Sequence, residues 1–213
     1  MVLAICSVLV IRSSQHALSL NLGVQPEGAV ALSVDLNLQG YSNDRVRAFD
    51  DALLARASAA PGIDSAGIVN FLPLTMRENN GTISRPDRPV PKPWERREAI
   101  LYNISPGYFR AIGTRLLAGR DFDSRDRPGS AFFVIVNEAC AHALFGPENP
   151  LGRRLRLGIE NPSDPGIEIV GVVEDGKYEY LSEPPHPVLY MPLLLREASS
   201  PRWWRAADYP PHR

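Results

Sequence analysis

Hydrophobic and polar positions alternate most clearly in "AVALSVDLNL", where Val30, Leu32, Val34, Leu36 and Leu38 recur at period two. Ser33, Asp35 and Asn37 fall between them. This spacing predicts a half-buried strand with one wet face. The period then changes. From Asp44 to Ala59, Val46, Phe49, Leu53, Leu54 and Ala57 follow helical spacing. Asn43 is the expected N-cap, Asp44 suits the positive helix end, and Pro61-Gly62 stops the element. "IDSAGIVNFLPL" reads as a second strand, so residues 28–72 predict a right-handed βαβ unit.

Pattern is lost from Thr75 to Glu95, a polar, proline-rich stretch that reads as a long loop. "REAILYNI" restores a strand, with Ile100, Tyr102 and Ile104 on one face. "AFFVIV" is a short continuous apolar run, which predicts a strand covered on both faces. "NEACAHALF" predicts a short helix ended by Gly146-Pro147. "GRRLRLG" and "IEIVGVVED" predict two further strands, and "PVLYMPL" a last edge strand with prolines at its ends. No fixed-period repeat is present. The class is α+β, with short helices and at least six strands.

Composition changes this picture little. The chain has 213 residues, 44% hydrophobic and 22% charged, enough for one large domain or two small ones. A formal net charge of -1 provides no basic field for nucleic acid. Lys92 and Lys177 are the only lysines, so the cations are almost all arginine. Cys6 and Cys140 are too few for a disulfide framework.

The apolar run "MVLAICSVLVI" ends at Arg12. It falls short of the about 20 residues that a spanning helix needs. It also lacks the basic n-region and cleavage site of a secretory signal. A buried strand or core helix, and the far end of a transmembrane helix, both fit the pattern.

"SPGYFRAIGTRLLAGRDFDSRD", from Ser105 to Asp126, has the look of a site. Gly107, Gly113 and Gly119 are six apart, which fits no dinucleotide fingerprint, and no Gly-Lys-Ser/Thr makes a P-loop. Asp121, Asp123 and Asp126 have D-x-D-x-x-D spacing, but the acceptor, glycine and glutamate that a calcium loop adds are missing. Pairing with Arg120, Arg125 and Arg127 on a solvated face is the plainer expectation. Ser105 fits an N-cap, Pro106 a first turn, Tyr108, Phe109 and Ile112 an apolar face, and Gly113 a helix end. Cys140 and His142 point to different sides of a helix, and His16, His186 and His212 have no neighbours at metal spacing. Glu174 and Asp175 follow a strand, where turn residues are common. Trp203 and Trp204 are either interface anchors or remnants of an apolar element. No nucleophile, base and oxyanion donor come together, so no catalytic, cofactor-binding or metal-binding residue is assigned, and no cofactor.

An ordered set of phrases carries more than any single residue: "FLPL", "ISPGYFRAIGTRLLAGRDFDSRD", "VIVNEACAHALFGPENPLGRRLRLG", "IEIVGVVEDGKYEYL" and "PHPVLYMPL". Together they resemble the MacB-like periplasmic core domain of bacterial ABC-transporter permeases of the MacB/FtsX type. The nearest likeness is to permeases carrying two such halves in one chain. The resemblance spans roughly Arg12 to Leu195. It implies a MacB-type periplasmic core with a βαβ-built subdomain and an inserted mixed α/β subdomain. Residues 1–12 would be the outer end of a truncated transmembrane helix and 13–195 the core domain. Within the core, 28–72 would be the first βαβ, about 73–165 the insert, and about 166–195 the return strands. Residues 196–213 depart from the family and are expected to be a divergent, disordered tail, so that the chain reads as a fragment.

The resemblance further implies a non-catalytic extracytoplasmic domain in the bacterial inner (cell) membrane, facing the periplasm. It would relay ATP-driven conformational change or engage a substrate or partner protein. The implied partners are a cytoplasmic ABC ATPase subunit, the other permease half or a dimer partner, a possible periplasmic partner protein, and the membrane. Nucleic acid is not among them. A stand-alone periplasmic binding or adaptor module of the same fold is the alternative, and an enzyme with an unfamiliar site is the remaining class.

Overall fold

The computed structural model describes residues 22–25, 28–34, 42–75, 79–123, 126, 133–158 and 164–193. The expectations for 1–12, for 196–213 and for Trp203 and Trp204 lie outside these residues. Among the described residues no helix is long and apolar enough to cross a membrane.

Seven strands build one sheet: β1 Asn80–Ser84, β2 Arg97–Ile104, β3 Leu116–Gly119, β4 Phe133–Asn137, β5 Arg154–Leu157, β6 Ile167–Val173 and β7 Val188–Pro192. Among the described residues three α-helices accompany them: α1 Asn43–Ala59, α2 Tyr108–Ile112 and α3 Glu138–Phe145. The strand order is β3-β6-β4-β7-β2-β1-β5, and β5 pairs in turn with β6. That last pairing closes six strands into a ring, with β3 lying beside the C-terminal half of β6. β4–β6 and β2–β7 are parallel, and the other pairs are antiparallel.

Alternation along the strands separates two cores. Ile83, Leu101, Val134, Val136, Leu155, Leu157, Ile169 and Leu189 belong to one cluster, to which every strand of the ring contributes. This is the inside of the ring. Cys140 and Phe145 of α3 pack into the same cluster. The alternate positions Ile100, Tyr102, Ile104, Ile135, Val173, Val188 and Tyr190 form the second cluster on the outer face. Tyr108 and Phe109 of α2 cover it, with Phe71 against Tyr102 at 4.5 Å and Phe109 edge-on to Tyr190 at 4.8 Å. Covering both faces explains why "AFFVIV" is continuously apolar: Val134, Ile135 and Val136 are all fully buried.

Several expectations are corrected. Residues 30–34 form no strand, and Val30 and Leu32 are 96% and 79% exposed. The alternating pattern is present, but among the described residues no neighbouring strand supplies a ladder for it. The second strand expected before Leu74 makes only an isolated antiparallel bridge, Val69 to Ile104. A βαβ unit is therefore not formed by the described part of 28–72. Helix α1 is formed, one residue earlier than expected, with Ser42 as N-cap. Val46, Phe49, Leu53, Leu54 and Ala57 are only half-buried.

The loop expected from Thr75 to Glu95 contains β1. Ile83 is its one large apolar residue, too little to show a period. Gly81 allows Leu101 and Leu157 to close over the strand, since a Cβ there would meet them at 2.8 and 2.9 Å. β7 is not an edge strand but lies between β4 and β2. All five of its residues are buried, and its prolines sit at or beyond its ends. β6 and β7, placed in the return region after 165, share the ring with strands from the expected insert.

Candidate functional site

The stretch from Ser105 to Asp126 is a set of backbone bends held by buried polar bonds. Gly107, Gly113 and Gly119 all take left-handed φ angles, 80°, 76° and 78°. Their six-residue spacing is the spacing of bends around α2 and β3. Gly107, not Ser105, occupies the N-cap position of α2. Ser105 is buried instead: its N–H donates to the Ile68 carbonyl at 2.9 Å and its Oγ accepts from the Ile68 N–H at 2.8 Å. Gly113 ends the helix as expected.

The aspartates are not a solvated row. Asp126 is 3% exposed and takes a two-pronged bond from Arg120, at 2.7 and 2.8 Å, plus the Asp123 N–H at 2.8 Å. Burial pushes its carboxyl upward, but these bonds outweigh it and hold it below the ordinary carboxylate range. Asp121 accepts from the N–H groups of Phe122 and Gly107. Burial is the larger influence there and raises it. The Asp121 and Asp126 carboxylates are engaged in shaping the chain, and Asp123 lies 3.7 Å from Arg120. Among the described residues, no three His, Cys, Asp or Glu side chains are placed to hold a metal ion.

A second feature had no signal in the sequence reading. The strap Leu22–Gln25 lies along α2, the start of β3 and the loop after β6. The Gln25 N–H donates to Ile112 carbonyl at 2.7 Å, and the Lys177 N–H donates to Leu22 carbonyl at 2.9 Å. Thr114 Oγ1 donates to Gly23 carbonyl at 2.5 Å. Gly23 has φ 68° and faces Gly176 so closely that a Cβ would sit 2.4 Å from the Gly176 Cα. Only two glycines allow these backbones to meet.

The loop receiving the strap is itself fixed. Glu174 accepts from Arg115 N–H at 2.8 Å and from its Nε at 3.0 Å. Asp175 Oδ1 accepts from Asn137 Nδ2 at 2.7 Å and from the Ala139 N–H at 2.9 Å, at the start of α3. Burial raises the Asp175 carboxyl above its ordinary range, and these bonds pull it part of the way back. Beyond it, Glu183 accepts from the N–H groups of Tyr178, Glu179 and Tyr180. Glu174 and Asp175 are thus joint residues between elements. Cys140 is buried and free, its thiol pushed up to about 12 by burial and by Asp175, while His142 is exposed.

Leu72, Leu74, Tyr180 and Leu181 are exposed large apolar side chains, and the Leu74 N–H donates to Tyr178 carbonyl at 2.6 Å. Leu74 is the one described non-glycine residue with positive φ, 62°.

The family model of the MacB-like periplasmic core domain matches residues 2–208. The chain belongs to this family. MacB-like core domains are the extracytoplasmic domains of membrane-embedded ABC-transporter permeases, which work with ATPase subunits. Among solved structures, the chain is similar to the periplasmic region of MacB from Actinobacillus actinomycetemcomitans. That match has 23% identity, covers 66% of this chain and 55% of that one, and has a TM-score of 0.41. It is also similar to the extracellular domain of the noncanonic ABC-type transporter YknZ from Gram-positive bacteria, with 20% identity, coverage of 71% and 68%, and a TM-score of 0.42. A domain of a permease protein from Porphyromonas gingivalis gives 20%, 66% and 53%, and 0.41. The chain thus spans about half the length of the first and third of these structures. No curated protein matches the sequence.

Proposed function

We propose that this MacB-like core domain is a non-catalytic relay. It converts an ATP-driven movement of a permease in the bacterial inner membrane into displacement of a rigid periplasmic body. The observation that carries the reading is the strap. In the arrangement proposed from the sequence, residues 1–12 end a membrane helix, and Leu22–Gln25 is the first described segment after it. The strap is bonded to α2, Thr114 and the loop after β6. A pull on it therefore acts on the ring rather than on a tether. The driving partner is a cytoplasmic ABC ATPase, and the body meets the other permease half, a dimer partner or a periplasmic protein.

The test uses a full-length permease carrying this domain, assembled with its ATPase, and spin labels on exposed Glu95 in two copies or halves. ATP trapping is expected to shift the distance between labels. Gly23→Val, which drives side-chain atoms into Gly176, is expected to abolish the shift while ATP hydrolysis continues. A wild-type distance indifferent to nucleotide contradicts the relay.

A second reading, a stand-alone periplasmic binding or adaptor module, draws on the exposed Leu72, Leu74, Tyr180 and Leu181. Apolar side chains gathered in this way mark contact surfaces. Leu181→Asp would then weaken capture of a periplasmic partner by the chain on its own, with no permease or ATP present.

A further inference from the structure

Asn137 makes four hydrogen bonds through one buried side chain, and no chemistry accounts for them. It ends β4, is fully buried and has every hydrogen-bonding position in use. Its Oδ1 accepts from the Cys140 N–H at 3.0 Å, capping α3, and from the Val188 N–H at 2.8 Å, at the start of β7. Its Nδ2 donates to His186 carbonyl at 2.8 Å and to Asp175 Oδ1 at 2.7 Å. An N-cap needs only the first of these. The other three tie together the two ends of the connection from β6 to β7: the loop holding the strap, just after β6, and the entry into central strand β7, which β4 separates from β6 in the sheet.

We infer that Asn137 and Asp175 form a clip that makes the strap Leu22–Gln25 and strand β7 move as one body. The inference rests on the relay reading and names the positioning residues within it. The path is short. The Gly23 backbone lies against Gly176 and against the Asp175 carbonyl, which a Cβ on Gly23 would approach to 2.8 Å. The Asp175 carboxylate grips Asn137, and Asn137 grips Val188 and His186. The Asp175 carboxylate also holds the first turn of α3, so the clip includes the helix that packs into the ring interior. A simple cap at Asn137 would stabilise α3 without linking strap to strand. A clip requires that a disturbance at either end be felt at the other, because coupling between sites is reciprocal.

Amide exchange measured by NMR on the whole chain tests this. Two amides report: Lys177, which donates to Leu22, and Val188, which donates to Asn137. Thr114→Val removes the strap's bond from Thr114 without touching Asn137, and is expected to speed Val188 exchange at least tenfold. Asp175→Ala is expected to speed Lys177 and Val188 exchange together by a similar factor. Ring amides such as Leu101 should hold their rates in both. Asp175→Asn keeps an Oδ1 that accepts from Asn137 and Ala139, and should leave both rates near those of the wild type. Val188 exchange unchanged in Thr114→Val, in a folded chain, overturns the clip. That result leaves the relay reading to its own spin-label test, whereas a confirmed clip with no nucleotide-dependent distance removes the relay and leaves the clip a property of the fold.

Discussion

Two parts of the chain were expected to be alike and are not. Residues 28–72 and residues 80–192 both show apolar periodicity, and each was expected to bury a face. In the ring, every strand has neighbours, so alternation becomes two clusters, one inside and one outside. In 28–72, the same kind of alternation at Val30, Leu32 and Val34 ends in exposed side chains, and the α1 stripe is half-buried. The difference is closure. A strand gains stability from its ladder partners and from the layer packed on it, and isolated pairs of strands are marginal in water. Pattern states which face is to be buried; a partner decides whether it is.

The largest contrast should appear in thiol reactivity. Cys140 lies in the ring interior with its thiol pushed up to about 12. Only the thiolate attacks an alkylating reagent, so Cys140 in the folded chain should react at least ~1,000-fold more slowly than in urea. A cysteine placed on α1 by Ser58→Cys should react at close to the unfolded rate. Peptide mass analysis follows each separately, and rapid native labelling of Cys140 would break the distinction.

Stability should divide the same way. Leu155 is fully buried inside the ring. Leu155→Ala should cost ~2–5 kcal/mol in urea unfolding, by lost burial and a cavity. Leu53→Ala on α1 should cost about 1 kcal/mol or less, as partly exposed positions do. Equal costs would mean that α1 belongs to the core.

A smaller effect sharpens the account of the stretch from Ser105 to Asp126. Asp126 is buried against Arg120 and held below its ordinary value. A carboxylate with a folded pKa below its unfolded one adds stability above the unfolded value, and loses it as pH falls through the folded one. Asp126→Ala should therefore cost ~1.5–3 kcal/mol at neutral pH, the scale of hydrogen bonds to charged groups. The gap to wild type should narrow below pH 4, the ordinary range of aspartate. A gap that stays constant down to pH 2 would assign the loss to packing alone.

Much of the ring was legible in the sequence because its strands carry enough apolar residues to show a period. "REAILYNI", "AFFVIV", "IEIVGVVED" and the helix "NEACAHALF" are where their patterns place them. β1 was not legible, because one large apolar residue, Ile83, shows no alternation and Gly81 adds none. The central place of β7 was hidden by its prolines, which suggest an edge until both are seen to lie at the ends of the paired stretch. Gly113 ends α2 as the sequence reading places it, whereas the capping position given to Ser105 is taken by Gly107 in a left-handed conformation. The strap and the clip were invisible for a deeper reason. Gly23 meeting Gly176, and Asn137 meeting Asp175, are long-range contacts between residue types that carry no signal of each other. An asparagine ahead of a helix signals a cap, and nothing in one sequence signals its other three bonds.

Native-state hydrogen exchange along the chain tests the central claim most directly, since a relay requires the strap to be as firmly held as the ring it moves. The account predicts that the amides of Gln25 and Lys177 exchange within about tenfold of ring amides such as Ile169, while α1 amides exchange at least ~100-fold faster by local opening. Strap amides that exchange as fast as those of α1 would contradict it, because a segment that opens on its own cannot carry movement into the ring.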